Sequence, residues 1–429
     1  LGIIAELFAQ LGAATAMRLN PRKSIIIPLG RQTAFSISRH INESIPSLGG
    51  VLVRWHGRYL GYTIGPTAED ARWTSAAAKF WQRGMAARGA GGGFFHNVLH
   101  YNIYATSVLS HITQLAKLPR SIISMESRIL QYLTHGPWNA MPSSCLRSIK
   151  DIGFTSEPSC ITEANTAAML RAAVASAVFP LAVALIDLEP SDPEALLVPR
   201  IPAWIDTTAV MQMRMNHDRF LTKFPEFRLS PHATVQQRAR CCLRAARTAP
   251  WDALLSMRAR RWSQECAPDP VEHIHCNLIA ACKLLPDRVV FSTIRLITNG
   301  VSTSRRFQDT LHACHLCGWV EGDCIEHYLH CEVMLKFVTN FLPNIGWKFG
   351  PVYGTIRSML CIEMPIPELV ATMVANDLLV SILATITQGS VTATPAQHLT
   401  ARLRALARQS ATIRKSISES FFPPLLSPL

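Results

Sequence analysis

Apolar residues near the start fall at Ile3, Ile4, Leu7, Phe8 and Leu11, a three- and four-residue spacing that predicts a helix over 1–20. Asn20-Pro21 stops it, because the residue before proline avoids the helical region. A β-rich run follows at 24–29, then a patternless loop over 31–50. Two short strands are expected at 51–55 and 58–64, with His56-Gly57 as the tight turn between them. Gly65-Pro66 closes the strand section.

From about residue 67 the period becomes helical. Trp73, Ala77, Phe80 and Trp81 mark one helix, 89–93 is a glycine-rich break, and 97–118 carries a second, mixed aromatic and aliphatic face. Further helices are expected at 122–135, 162–187, 205–220, 232–247, 251–262, 271–284 and 366–388. The proline- and acid-rich segment 188–202 reads as a linker or surface loop, and Phe-Phe-Pro-Pro near the end cannot continue a helix. The very apolar stretch 172–186 is broken by Pro180 and is too short for a bilayer. The stretch 369–386 carries Asn376 and Asp377 in its middle, so both read as buried helices and no membrane partner is expected.

A chain of 429 residues exceeds one ordinary domain, and 48% hydrophobic against 17% charged residues excludes a disordered, charge-rich class. The net charge of +13 points to an anionic partner, nucleic acid first and a membrane surface second. Twelve cysteines without a visible signal peptide read as reduced thiols of an intracellular protein, nuclear or cytoplasmic. The chain opens on Leu1 directly into helical sequence, as a piece that begins inside a fold.

The strongest chemical signal is the stretch CHLCGWVEGDCIEHYLHC. Cys314 and Cys317 can reach one tetrahedral ion from a tight turn that Gly318 lets fold back. His327 and Cys331 lie one helical turn apart and share a face. Four protein ligands imply a structural zinc with no open position for catalysis, and Cys324 or His330 could replace one of them. A knuckle this short buries too little to fold without its metal. His273, His275, Cys276 and Cys282 lack a spacing that closes around one ion.

Arg240, Arg244 and Arg247 fall on one helical face, flanked by Arg238. Arg258, Arg260 and Arg261 follow beside Trp251 and Trp262. Guanidinium forks suit phosphates and indoles stack on bases, so these residues are candidates for nucleic-acid contact. A second basic stretch holds Arg402, Arg404, Arg408, Arg414 and Lys415.

Leu19-Asn20-Pro21-Arg22-Lys23-Ser24, a strand, and then Tyr59-Leu60-Gly61-Tyr62-Thr63-Ile64-Gly65 resemble the end of a reverse transcriptase palm of the non-LTR (LINE-like) retrotransposon type. Tyr101-Asn102-x-Tyr104-x-x-Ser107 with Gln114-Leu115, and Leu133-Thr134-x-Gly136-Pro137-Trp138-Asn139, are similar to the helical thumb of that family. A C-terminal knuckle in the style of Asp323-x-Ile325-Glu326-His327-Tyr328-x-x-Cys331 also occurs there. The resemblance covers roughly 1–155 and 310–335. It implies that Lys23 approaches the incoming triphosphate and that Tyr59, Leu60 and Gly61 form the primer grip. It also implies that the thumb follows the template–primer duplex and that the knuckle binds RNA or DNA.

The polymerases of that family hold two magnesium ions on palm aspartates. Here the first aspartate is Asp70, and neither Glu6 nor Glu43, upstream of the hairpin, matches a catalytic position. The expectation is therefore a fragment that binds nucleic acid and lacks the N-terminal polymerase half, magnesium belonging only to the full-length parent. The alternatives are a host-derived zinc-dependent nucleic-acid binding or scaffold protein and, less favoured, a retroelement endonuclease. After Cys331 the acids are only Glu332, Glu363, Glu368, Asp377 and Glu419, with no nuclease motif. The expected fold is α+β and predominantly α-helical: a palm-end β-hairpin remnant, a thumb-like helical region and a small zinc knuckle. The divisions are 1–66, the palm end with its primer-grip hairpin; 67–155, thumb-like helices; 156–300, a helical region with basic helices; 301–345, the knuckle; and 346–429, a helical segment and tail.

Overall fold

The computed structural model describes residues 2–15, 20, 23–30, 33–90, 92–137, 139–175, 235–245, 250–262, 271–307, 310, 312–341, 356–360, 365–387 and 394–415. The linker at 188–202, the helix expected at 205–220, Arg247, Trp138 and the Phe-Phe-Pro-Pro tail lie outside those residues, as do the side chains of Arg238 and Trp262. The described chain is predominantly helical, with four short strands.

Helix α1 (Gly2–Thr15) forms where the periodicity places it, yet Ile3 and Leu7 remain 77% and 58% exposed. Strand β1 (Ile25–Ile26) pairs in parallel with β2 (Leu52–Val53). Between them lies α2 (Ala34–Ser44), where the pattern predicts a loop. Its apolar positions Ile37 and Ile41 form a narrow stripe in polar sequence, and Thr33 caps it by accepting from the Ser36 N–H at 3.1 Å. Ile41, Leu48 and Val51 make the small core beneath.

The hairpin differs from expectation. Strand β3 (Gly57–Tyr59) pairs antiparallel with β4 (Tyr62–Ile64), so the turn is Leu60-Gly61 and not His56-Gly57. Leu60 and Gly61 both have positive φ, +47° and +83°, the pattern of a two-residue turn whose twist suits an antiparallel pair. Tyr62 docks the hairpin on the helices: its hydroxyl donates to Leu115 O at 3.1 Å and Arg72 lies over its ring.

The helical part opens with α3 (Ala68–Gly89) and α4 (Phe94–His100). A single helix over 97–118 is not what forms: α4 widens into a π turn at Tyr101–Ala105 and tightens into 3-10 turns at Thr106–Leu109 and Ile112–Gln114. The widened turn lets Tyr101 donate to buried Glu126 at 3.2 Å and lets Asn102 hold Glu157 O and the Ser159 N–H. Then follow α5 (Arg120–Leu133), α6 (Ser143–Arg147), α7 (Ile161–Ala175), α8 (Val235–Ala245), α9 (Pro250–Ala259) with a 3-10 turn at Arg260–Trp262, and α10 (Val271–Cys282). After these come α11 (Asp287–Ile297), α12 (Ile325–His330), α13 (Glu332–Lys336), α14 (Ile356–Met359), α15 (Ile366–Thr387), α16 (Pro395–Gln409) and α17 (Ala411–Lys415).

One continuous buried cluster runs through these helices from Trp73 to Ile413. Glu126, fully buried, accepts from Tyr101, from the Ile161 N–H at 2.8 Å and from Arg147 at 2.6 Å. Burial still pushes its carboxyl above the ordinary range. Helix α15 is long and apolar enough to cross a membrane by length and composition, but 78% of its apolar window is buried in this protein. Asn376 and Asp377, in its middle, have partners in the core. Asn376 donates to Thr293, and Asp377 accepts from Ser292 at 2.8 Å and from Arg402 at 2.9 and 3.0 Å.

Candidate metal centre and basic surface

A turn and a short helix carry the cysteine–histidine set. The Gly318 N–H donates to Cys314 O at 2.9 Å and the Cys314 N–H donates to Trp319 O at 2.8 Å, which closes the turn that holds Cys314 and Cys317. His327 lies on α12, and Cys331 follows it by one turn. The ligand atoms of Cys314, Cys317, His327 and Cys331 all lie within 4.8 Å of one another, so the group could hold a metal ion. Cys314 Sγ is 3.8 Å from Cys331 Sγ, and Cys317 Sγ is 3.2 Å from His327 Nε2. Cys324 and His330 stand outside this group: Cys324 is buried at the start of α12 and His330 is exposed.

The Cys314 thiol is drawn down to about 4 because Cys331 donates to it, with the N–H groups of Cys317 and Leu316 adding to the effect against burial. Cys331 is correspondingly pushed up. Three thiols and an imidazole suit a divalent metal, whose binding displaces their protons. Gly322 closes the back of the site: a Cβ there would lie 2.9 Å from Cys314 Cβ and 3.0 Å from His327 Cδ2.

Asp323 ties the centre to the preceding segment. Its carboxylate accepts from the buried Tyr328 hydroxyl at 2.9 Å and from the Ser304 N–H at 2.6 Å. Burial and this carboxylate raise the Tyr328 phenol above its ordinary range, so it stays a donor. Ser304 opens a 3-10 turn that carries Arg305 and Arg306. Glu326, beside His327, accepts from Arg261 at 2.7 Å and faces Arg305 at 3.6 Å. Arg258 has its guanidinium pKa lowered by burial and by nearby Arg306 and Arg261. Arg261 and Arg305, from two distant segments, thus meet at one carboxylate at the edge of the centre, with Arg258 and Arg306 near them. Arg305 and Arg306 escaped the sequence reading; the arginine pair itself was the signal, but nothing local linked it to 258–261. Trp319, 69% exposed, lies nearly parallel to the His327 ring at 6.4 Å between centroids.

The other expected residues separate. Arg244 pairs with Glu157 at 2.9 Å, and Arg240 lines a cleft between α7 and α8. Arg260 is exposed beside Arg261. Trp251 is fully buried and donates to Ser148 O at 3.1 Å, so it offers no face for a base. Arg402 belongs to the Asp377 pair, and Arg414 donates to Ala407 O and Arg408 O at the end of α16. Lys23 is exposed in a short turn, and Tyr59 and Leu60 are 65% and 80% exposed at the hairpin tip with Gly61. His275 sits between Asp252 and Asp151 O, and Cys282 donates to Ile152 O, so these two side chains point to separate partners. Comparison with protein-family models, with curated proteins and with solved structures finds no match for this chain.

Proposed function

We propose that this chain is the C-terminal part of a reverse transcriptase of the non-LTR retrotransposon type, and that it binds nucleic acid through a module built on one zinc ion. The observation that carries the reading is the convergence of Cys314, Cys317, His327 and Cys331 beside the arginines at 258, 261, 305 and 306. Zinc fits the donor set. A tetrahedral ion with Zn–S near 2.3 Å sets two sulfurs roughly 3.8 Å apart, the separation of Cys314 and Cys331. When bound, the ion would fix the turn against α12 and leave no position for substrate, so its role is structural. The arginine forks would then meet phosphates on a surface that the metal holds in shape.

The order of the remaining parts supports the same reading. Residues 1–66 would be the palm end, with Lys23 toward the nucleotide phosphates and Tyr59, Leu60 and Gly61 presenting the primer end from an exposed hairpin tip. Residues 67–155 would be the thumb. The carboxylates that hold magnesium would come from another segment, and this chain alone would not extend a primer. Elemental analysis of purified chain should find one zinc, lost in Cys317→Ser, and dNTPs should not be incorporated on a primed RNA template. Absence of zinc from the wild-type chain, or primer extension by it, would overturn the proposal.

A further inference from the structure

We propose that the cleft between α7 and α8 binds a phosphate group carried by a nucleotide. Its volume is about 390 Å³, and its walls include Asn102, Lys150, Glu157, Glu163, Arg240 and Arg244. Cavities of roughly 300 Å³ or more hold small molecules, so there is room for a nucleoside as well as its phosphate. Three cations face two carboxylates, which leaves the wall with excess positive charge. Arg244 is engaged by Glu157 at 2.9 Å and anchors α8. The side chains of Lys150 and Arg240 have no hydrogen-bond or ion-pair partner among the described residues, and both border the open space.

The first N–H of α7 does not supply the positive character: the Ile161 N–H is already taken by Glu126 at 2.8 Å. The charge therefore comes from the two side chains. An arginine fork matches two phosphate oxygens and a lysine adds a mobile point charge. Part of the wall is held rigid by Asn102. Asn102 Nδ2 donates to Glu157 O at 2.9 Å and its Oδ1 accepts from the Ser159 N–H at 2.7 Å. Such a wall needs no ordering when a ligand arrives.

None of these residues belongs to the metal centre or to its arginines, so this inference and the preceding one fail separately. The test is calorimetric titration of the full zinc-loaded chain with AMP, inorganic phosphate and adenosine, beside fluorescence anisotropy with single-stranded RNA. AMP should bind, phosphate should bind more weakly, and adenosine should not bind. Lys150→Gln/Arg240→Gln should weaken AMP about tenfold or more, since two charge-assisted contacts go. Arg240→Lys should lose less than Arg240→Gln. If the cleft variant also weakens RNA, the phosphate is that of a strand; if only AMP is affected, it is that of a free nucleotide. The proposal is overturned if millimolar AMP and phosphate do not bind, or if they bind the double variant as tightly as the wild type.

Discussion

Gly322 has no room for a side chain: a methyl group there would press on Cys314 and on the His327 ring at 2.9 and 3.0 Å. Both belong to the cluster that could hold a metal, so on the proposed reading Gly322→Ala should weaken metal affinity by about tenfold or more while leaving the distant core intact. Competition against a chromophoric chelator measures this, and unchanged affinity would contradict the account. At Glu126 the issue is a buried charge with Arg147 beside it. Glu126→Ala should cost about 3–5 kcal/mol in urea unfolding, because the guanidinium and the Tyr101 and Ile161 donors lose their acceptor. A loss under about 1 kcal/mol would mean that the pair carries little of the core. His135 titrates in the opposite sense to Glu126. Burial, with Arg88 and Arg295, depresses its pKa, so the fold favours the neutral ring. Stability from this group is full above the unfolded value near 6.5 and falls as pH drops toward the folded value. Glu126, with a raised pKa, gains as pH falls, so the comparison has to be with His135→Asn. Between pH 7.5 and about 5.5 the wild type should lose more stability than that variant; equal loss would remove His135 from the balance.

At the scale of elements, strong periods were legible and narrow ones were not. Helix α5 shows its apolar stripe plainly, and α15 was readable as buried because Asn376 and Asp377 needed partners. Helix α2 was missed because only Ile37 and Ile41 face its small core, and α11 was missed although Val290, Ile294 and Ile297 keep a helical spacing. Helix α16 carried a readable start signal, the Thr394–Gln397 capping box, inside a stretch noticed only for its charge. The hairpin turn was expected four residues too early, since His56-Gly57 and Leu60-Gly61 are both turn-competent pairs, and the strand expected at 51–55 pairs with β1 instead. Helices α11, α15 and α16 join through Asp377, which accepts from Ser292 and Arg402. Asp377→Ala should therefore cost about 3–5 kcal/mol by leaving Arg402 without its carboxylate. Chemical denaturation checks this, and restoration of most of the loss by a second change, Arg402→Leu, would show that the unpaired charge is the cause.

Across the whole molecule, the four metal-ligand candidates could be picked from sequence because their spacing is local, within eighteen residues from Cys314 to Cys331. The surface around them could not. Arg261 meets Arg305 at Glu326 and Arg258 comes near Arg306, across more than forty positions of chain. Lys150 likewise joins Arg240 only when α7 packs on α8. The central claim is that the metal-built module binds a nucleic-acid strand through its arginines. The most direct measurement is the affinity of zinc-loaded chain for single-stranded RNA over a range of salt. With at least three phosphates neutralised, log K should fall against log salt with a slope of roughly −2 or steeper. Arg261→Gln/Arg305→Gln/Arg306→Gln should flatten that slope. Absent binding, or a slope near zero in the wild type, would contradict the account.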